Sequence, residues 1–250
     1  MRLFVHLFLL LSLAACKKSS PAQGGGVGPD GPGSAAVGSV TGMVTDSKGN
    51  TLSGIKVTVE HTVWAASYVF ASTDNAGRYK IDLPGEPAGS WTAKAQLESS
   101  AYGKQYKFDL AADHTDAFTR QQSTVRNFTW RLSGQRADGG FYGAHVDIYQ
   151  MGTDVDPSQV KLVFTPAEST LIDGTAAVVI ERQVHDVAGT FMVTDVPIGK
   201  YTVKAVYPGR TLLLDNRHED DSPSVSQPVV FGKYGYLGET EYNIEFWLSD

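Results

Sequence analysis

One histidine and one aspartate have the spacing in this sequence that best suits proton or metal chemistry. His145 and Asp147 flank Val146, and residues i and i+2 of a β-strand point to the same face. Such a pair can relay a proton or ligate one metal ion together. An exposed polar strand face is the favoured interpretation, because the sequence has no close ligand pair such as H-x-x-E-H or H-E-x-x-H. His114 and Asp116 lie in a polar stretch, and the same interpretation applies to them.

A second candidate is the acidic segment 215–221, which concentrates oxygen ligands. Its carboxylates are Asp215, Glu219, Asp220 and Asp221. Calcium prefers several oxygen ligands on a flexible loop, so the segment is a weak candidate metal site. The spacing matches no EF-hand loop and Arg217 interrupts it, so a solvated surface loop is favoured. The sequence predicts no metal and no other cofactor.

Motifs for nucleophilic or phosphate chemistry are absent from the sequence. There is no G-x-S-x-G, and the glycine-rich run at 24–33 precedes no helical pattern. The sequence holds a single cysteine, Cys16, so the rest of the chain has no disulfide and no thiolate site. Nothing points to a particular pair of catalytic carboxylates. We therefore predict that the chain is not an enzyme.

Aromatic residues on predicted loops are more suggestive, because their rigid amphipathic rings can stack on sugars or on peptide side chains. The candidates for such stacking are Trp64, Tyr142, Tyr234 and Tyr236. The favoured alternative is that most of them pack where the two halves of the chain meet, or cover the ends of a β-sandwich.

The first residues predict export. Arg2 precedes an apolar run at 3–11, which is too short to span a bilayer and suits a cleaved signal peptide. Leu13-Ala14-Ala15-Cys16 resembles the lipobox of bacterial lipoproteins. The resemblance implies that residues 1–15 are removed and that Cys16 carries the lipid that holds the protein to a membrane. The alternative is that Cys16 is an ordinary free thiol.

Residues 16–36 predict a flexible tether, because glycine, proline and serine dominate and almost nothing is apolar. Lys17 and Lys18 follow the cysteine without an aspartate, which favours the outer membrane over the inner one. The face of the membrane, periplasmic or external, stays open. The formal net charge of the full sequence is −6 and no basic block occurs, so nucleic acid is excluded as a partner.

From Val37 onward the apolar residues alternate with period two between turns rich in Gly, Pro and Asn, which predicts an all-β sandwich or barrel. In 78–83, for example, Tyr79, Ile81 and Leu83 share one face. Asp46–Asn50 and Thr73–Gly77 carry Asp early and Gly near the end, so both predict tight hairpin turns.

An internal repeat predicts two related domains. Asp74, Gly77, Tyr79 and Ile81 match Asp186, Gly189, Phe191 and Val193 at the same spacing. Each set is followed by a proline, a glycine turn and a further strand pattern, at 91–95 and at 201–205. The predicted domains are 37–132 and 133–250, with a polar, glycine-containing joint at 133–140.

The first domain resembles the carboxypeptidase regulatory-like domain. The similarity lies in Gly42–Gly49, Leu52–Val59 and Ser72–Ile81, within about 37–97. The second domain shares only the later half of this pattern, and it is somewhat similar to the repeats of bacterial surface adhesins. The resemblance implies two tandem transthyretin-like (prealbumin-like, Ig-like) antiparallel β-sandwiches, with a fold shared by carbohydrate-binding modules, in a noncatalytic accessory protein.

Three functional hypotheses follow. The first is a noncatalytic binding or scaffolding module at the cell envelope that engages a glycan or a protein partner. The second is a structural subunit of an outer-membrane or surface complex, in which exposed sheet edges add strands from a partner. The third and least favoured is a hydrolase with a site between the two domains at His145 and Asp147.

Overall fold

The computed structural model of the 250-residue chain describes residues 36–219, 222–235 and 238–250. The predicted signal peptide, the lipidation site Cys16 and nearly all of the tether lie outside the described residues. So do Asp220, Asp221 and Tyr236. In the described part of the chain no helix is long and apolar enough to cross a bilayer.

The first sandwich is built from strands between Ser39 and Thr129. They are β1 (Ser39–Thr45), β2 (Lys56–His61), β3 (Tyr68–Ser72), β4 (Arg78–Asp82), β5 (Ser90–Ala101), β6 (Lys104–Asp109), β7 (Ala111–Ala112), β8 (Phe118–Thr119), β9 (Thr124–Val125) and β10 (Phe128–Thr129). One sheet has the order β4-β1-β10-β7, with β9 also beside β1. The other has the order β3-β2-β5-β6, with β8 also beside β5.

The second sandwich is built from strands between Ala144 and Ser249. They are β11 (Ala144–Gln150), β12 (Lys161–Pro166), β13 (Ile180–Gln183), β14 (His185–Val187), β15 (Thr190–Val196), β16 (Lys200–Tyr207), β17 (Arg210–Thr211), β18 (Leu213–Asn216), β19 (Gln227–Val230) and β20 (Asn243–Ser249). A short 3-10 helix, Pro157–Gln159, precedes β12. The sheets have the orders β14-β15-β11-β20-β18 and β13-β12-β16-β17, with β19 also beside β16.

The two sandwiches repeat one topology. In the first, β1 pairs antiparallel with β4 and parallel with β10. In the second, β11 pairs antiparallel with β15 and parallel with β20. The edge strand β3 beside β2 in the first corresponds to β13 beside β12 in the second. The all-β prediction is confirmed, and the domain boundary between 132 and 133 stays a prediction.

The pairing is not wholly antiparallel, which is where the structure departs from the predicted sheets. In each sandwich the first and last strands lie side by side and run in the same direction. A parallel neighbour must be reached by a long connection. In the first sandwich, the chain between β1 and β10 crosses to the opposite sheet, where it forms β5 and β6 among other strands.

The core follows the predicted alternation. Tyr79, Ile81 and Leu83 are all buried, as are Ile244, Phe246 and Leu248 of β20. Their neighbours in sequence face outward, because successive side chains of a strand point to opposite faces. Burial of these apolar side chains supplies the main stabilisation, at about 25 cal/mol per Å² of apolar surface removed from water.

Both predicted turns are tight. The turn at 46–50 is a hairpin, because Thr45 and Thr51 on its two sides form an antiparallel bridge. The hairpin prediction is wrong for 73–77, because this turn joins β3 to β4, which belong to opposite sheets. Asp46 Oδ1 accepts the backbone N–H groups of Lys48 (2.9 Å) and Asn50 (2.8 Å). Asp74 Oδ1 accepts those of Ala76 (2.9 Å) and Arg78 (2.8 Å). These carboxylates replace backbone partners inside the turn, which is why Asp is favoured at its first position.

Candidate functional site

The strand β3 forms an open edge of the first sandwich. Among the described residues it pairs with β2 and has no strand on its other side. His61 N–H donates to the Ser67 carbonyl (2.9 Å), and Thr73 N–H donates to the Ile55 carbonyl (3.0 Å). Hydrogen-bonded pairs recur at every second residue of an antiparallel ladder. The backbone groups of Tyr68, Phe70 and Ser72 therefore point away from β2, toward the open side.

The side chains along this edge are apolar and exposed. Tyr68 is 54% exposed and Phe70 is 60% exposed. In the preceding loop, Val63 and Trp64 are 78% and 60% exposed. We call these four residues, together with the outward backbone groups of β3, the β3 edge. Large apolar side chains grouped on a surface mark a contact site. Lys56 Nζ lies 4.9 Å from the centre of the Phe70 ring.

A buried histidine shapes the loop that presents Trp64. The N–H groups of Val63 and Trp64 both donate to His61 Nδ1, each at 3.1 Å. Since Nδ1 accepts, the ring hydrogen is on Nε2, which lies 3.3 Å from the Ala88 carbonyl oxygen. The ring also packs edge-on against Trp91, with centroids 4.9 Å apart.

Close packing around this ring explains a glycine in the neighbouring loop. A Cβ at Gly89 would lie 2.5 Å from His61 Nε2, nearer than real Cβ atoms come to another atom. His61 belongs to no ligand motif in the sequence, so the sequence gives it no role. The only sequence signal was its place at the end of a strand, just before Trp64.

The second region with concentrated chemistry is the joint between the two sandwiches, which belong to one compact unit. Tyr106 Oη donates to the Phe231 carbonyl (2.9 Å), and its ring lies 5.1 Å from that of Tyr242. Tyr242 Oη in turn donates to the Lys107 carbonyl (3.2 Å). Burial raises the pKa of both tyrosine hydroxyls. These rings serve packing, because each one carries its hydroxyl to a backbone partner.

Asp109 is the polar centre of the joint. Its carboxylate accepts hydrogen bonds from Gln96 (2.9 Å), Thr240 (2.7 Å) and Arg136 (3.2 Å). Burial raises the pKa of Asp109, but these hydrogen bonds and the Arg136 charge outweigh it and hold the pKa below its usual value. Three hydrogen-bond donors keep this carboxylate ionised and occupy it as an acceptor. Asp109 is therefore a structural group.

Two of the four predicted stacking residues lie at the joint. Arg136 lies 5.6 Å from the centre of the Tyr142 ring. Tyr234 lies flat on His218, with centroids 3.9 Å apart and planes 3° apart. Lys104 of β6 donates to Tyr234 Oη (3.0 Å). These two positions agree with the packing alternative, whereas Trp64 lies exposed at the β3 edge.

His145 and Asp147 come together as their spacing predicts, with Nε2 3.5 Å from Oδ2. The interpretation of an exposed polar face is wrong for Asp147, which is only 8% exposed because His145 and Asn243 cover it. A cavity of about 220 Å³ lies beside His145 and Tyr242. Among the hydrogen bonds of the described residues, none joins a hydroxyl or thiol to His145.

The described part of the acidic segment holds its carboxylates apart. Asp215 lies in β18 opposite Trp247 of β20. Glu219 lies 3.9 Å from Lys104 Nζ and 3.4 Å from Tyr234 Oη. Within residues 36–219, 222–235 and 238–250, no group of three His, Cys, Asp or Glu side chains is placed to hold a metal ion. The weak metal site at Asp215, Glu219, Asp220 and Asp221 stays a prediction, because Asp220 and Asp221 lie outside the described residues.

Comparison with known proteins gives a limited result. No protein-family model matches the chain, and no curated protein matches it. Among solved structures, the Bacillus anthracis TIE protein aligns at 12% identity over 86% of this chain, with a TM-score of 0.32. A Streptococcal ancillary pilin aligns at 15% identity over 82% of this chain, with a TM-score of 0.27.

Two B repeat units of the collagen binding protein of Staphylococcus aureus align at 12% identity over 83% of this chain, with a TM-score of 0.23. The chain spans 34% of the Bacillus protein, 61% of the pilin and 48% of the repeat pair. Likenesses at these identities and TM-scores assign neither a family nor a function.

Proposed function

We propose that this chain is a noncatalytic binding or scaffolding module of the bacterial cell envelope, and that it docks an extended segment of a protein partner along the β3 edge. The carrying observation is the open strand itself. Tyr68, Phe70 and Ser72 direct backbone donors and acceptors outward, and two of these residues also present exposed aromatic rings. A strand added there gains main-chain hydrogen bonds and side-chain contacts from the same residues.

An unprotected edge strand such as β3 is unusual in a protein that functions as a monomer. Sheet edges are normally blunted by charges, prolines or very short strands, because an open ladder recruits other chains. β3 has five residues and lacks both proline and charge. The neighbouring edge strand β4, in the opposite sheet, carries exposed Arg78, Lys80 and Asp82. An unprotected edge beside a protected one supports a role in docking.

The proposal includes a lipid anchor at Cys16. The lipobox resemblance of 13–16 supports it, as does the tether composition of 16–36. A glycine-rich chain of about 20 residues has a root-mean-square length of about 25 Å. We take the membrane to be the outer membrane.

The sequence resemblance to the carboxypeptidase regulatory-like domain belongs to the same proposal. The turn residues that carry it, such as Asp46 and Asp74, accept backbone hydrogen bonds within tight turns. Such a module acts as an accessory that binds rather than reacts. The contacts of Asp109 support this, because three structural partners donate to its carboxylate.

A second candidate function is glycan binding by ring stacking. The observation in its favour is the exposure of Trp64, Tyr68 and Phe70, since exposed rings offer the flat surface that sugars stack on. This function needs the rings but not the outward backbone groups. The two candidates therefore separate by mutation.

The experiment compares binding of the full chain to envelope protein fractions and to glycan arrays. Ser72→Pro removes one outward N–H and keeps all three rings, whereas Trp64→Ala removes a ring and keeps the backbone. Glu181→Pro on β13 is the matched control, because Gln183 and Glu181 direct their backbone groups outward there. Strand addition predicts that Ser72→Pro abolishes protein binding and Glu181→Pro does not. Glycan retention lost in Trp64→Ala but kept in Ser72→Pro would instead establish the stacking function.

A structural subunit of a larger surface complex is an outcome of the same experiment. In that case one envelope protein co-purifies in fixed ratio with the full chain, and Ser72→Pro releases it. Binding that is equal in the wild-type chain, Ser72→Pro and Trp64→Ala would remove the β3 edge from both candidate functions.

A further inference from the structure

We infer that the segment that occupies the β3 edge is the β3 strand of a second copy of this chain, paired antiparallel across a two-fold axis at Phe70. The inference rests on the proposed function, because it uses the same edge and names its occupant. Closed two-fold dimers are the commonest protein assemblies, and their interface must be complementary to itself.

The register of β3 meets that condition. The strand runs Tyr68–Ser72, so Phe70 is its central residue. A two-fold axis at Phe70 pairs Phe70 with Phe70 and Tyr68 with Ser72. These are the residues whose backbone groups point outward, so every outward N–H on one copy faces an outward C=O on the other. A neighbouring register leaves one of these pairs beyond the end of the strand.

The side chains on the outer face also complement themselves. Hydrogen-bonded partners in an antiparallel pair have Cα atoms about 5.5 Å apart, so the two Phe70 rings become neighbours. Tyr68 of each copy lies diagonal to Phe70 of the other, within reach for an aromatic side chain. Exposed rings in the single chain thus become one aromatic cluster across the two-fold axis.

The core-facing side of β3 also buries apolar surface in this dimer. Val69 and Ala71 point toward the core and are only partly buried, because no strand lies beyond them. The same axis sets Val69 opposite Ala71 of the second copy. Each copy therefore covers apolar surface that the other leaves open at the edge of its sandwich.

Charges on this face do not oppose pairing across the axis. On the sheet surface, Glu60 lies beside Tyr68, and Lys56 lies beside Ser72. Pairing Tyr68 with Ser72 of the second copy places Glu60 and the second copy's Lys56 at opposite ends of one cross-strand row. No like charges face each other directly in that row, a condition that cross-strand pairing requires. Glu60 also keeps its own partner Lys94 at 2.7 Å.

The first test is sedimentation of the full chain in detergent over a range of concentrations. The wild-type chain is expected to be a dimer that dissociates on dilution. Phe70→Lys places two like charges next to each other at the axis, and it is expected to raise the dissociation constant at least about tenfold, which corresponds to about 1.4 kcal/mol. Val178→Lys is the matched control, because Val178 is 65% exposed just before β13.

Two results overturn the inference. One is a wild-type chain that stays monomeric at every concentration, and the other is a dimer that Phe70→Lys and Val178→Lys affect equally. Circular dichroism and the midpoint of thermal unfolding establish that each variant is folded. A monomeric wild-type chain that still loses envelope-protein binding in Ser72→Pro keeps the proposed function and removes only the second copy as occupant.

The second test is disulfide trapping at the axis. Phe70→Cys puts two thiols on Cα atoms about 5.5 Å apart, within the range that a disulfide spans. Glu181→Cys on β13 is the control, and both variants keep Cys16, so any background is shared. Mass spectrometry is expected to find a disulfide-linked pair of identical peptides spanning position 70, and only for Phe70→Cys. Equal trapping at both positions, or none at position 70, contradicts the two-fold arrangement.

Discussion

The edge strands β3 and β13 occupy the same place in two copies of one topology, yet their surfaces are opposite in character. Each pairs with the second strand of its sandwich. The outward positions of β3 hold Tyr68 and Phe70, whereas those of β13 hold Glu181 and Gln183. Glu181 forms an ion pair with Lys161 at 2.7 Å. A repeated fold therefore fixes where an edge lies, and the side chains decide whether it recruits another chain.

The protection of β13 is built into its contacts. Gln183 Nε2 donates to the carbonyl groups of Ser158 (2.6 Å) and Val160 (2.8 Å), so this side chain turns back onto its own chain. At the equivalent edge of the first sandwich, Phe70 contacts the ammonium group of Lys56 through the face of its ring. Two exposed valines, Val178 and Val179, lie just before β13 rather than on it.

The largest effect is expected for Val69→Pro. The ladder directs the Val69 N–H toward β2, whereas the Phe70 N–H points outward. Val69→Pro removes a ladder bond and leaves a buried carbonyl without its donor, so it is expected to lower the free energy of unfolding by about 3 kcal/mol. Phe70→Pro leaves the ladder to β2 intact. Urea denaturation measures both, and equal losses would show that the open side of β3 has been assigned to the wrong residues.

A smaller loss is expected for Asp109→Asn at the joint, which tests whether the β3 edge is independent of the contact between sandwiches. Asp109 accepts three hydrogen bonds, one from the charged Arg136, so the substitution is expected to lower the free energy of unfolding by about 2 kcal/mol at neutral pH. Binding at the β3 edge is expected to stay unchanged. Lost binding at equal folded fraction would show that the edge depends on the joint.

The same substitution has a defined pH dependence. The pKa of Asp109 lies below its ordinary value in the folded protein. Its contribution to stability is therefore present above the unfolded-state pKa, near about 4, and is lost as pH falls through the lower folded-state pKa. The stability difference between the wild-type chain and Asp109→Asn is expected to shrink below about pH 4. A difference that grows on acidification contradicts the sign of the shift.

The next effect in size is expected for His61→Ala, which tests whether the Trp64 loop is held in place. The substitution removes the acceptor for two backbone N–H groups and is expected to cost about 1.5 kcal/mol. The fluorescence of Trp64, isolated as the difference between each protein and its Trp64→Phe counterpart, is expected to show a more mobile side chain. An unchanged spectrum and unchanged stability would show that the loop is held by other contacts. His185→Ala, at an exposed histidine of β14, is the matched control.

The smallest change in stability is expected for the double variant Glu181→Tyr with Gln183→Phe, which gives β13 the outward side chains of β3. The substitutions remove the Glu181 ion pair and the two hydrogen bonds of Gln183, all at exposed or partly buried positions, so they are expected to lower the free energy of unfolding by about 1 kcal/mol. Their main effect should appear as assembly beyond the wild-type state in sedimentation. The double variant Glu181→Lys with Gln183→Glu keeps the edge charged and is the control. If the aromatic variant shows no added assembly, exposed rings alone are not enough to make an edge strand bind another chain.

Much of the fold was predictable from local patterns. The alternation at Tyr79, Ile81 and Leu83 predicted a half-buried strand, and Asp74 with Gly77 predicted the turn before it. These signals are local, because a strand face has period two and a turn needs specific backbone angles. The repeat between Ile81 and Val193 further predicted that two such units share one topology.

The functional edge was not predictable in the same way. Trp64 was singled out by its residue type and its predicted loop position, whereas Tyr68 and Phe70 lie in a sequence pattern that fits a core strand equally well. Their exposure depends on β3 lying at the edge, and strand order is a long-range property. One partner of Tyr234, Lys104, lies more than a hundred residues away. The role of His61 likewise appears only once the chain folds over Trp91.

The most direct measurement is site-specific photocrosslinking of the full chain on intact cells. A photoreactive amino acid replaces Phe70 in one strain and Glu181 in another, so the two equivalent edges are probed in the same protein. Docking along β3 predicts protein adducts from position 70 and none from position 181, with the second copy of the chain among the products. Equal adduct yields at the two positions, or adducts from position 181 alone, would contradict docking along β3.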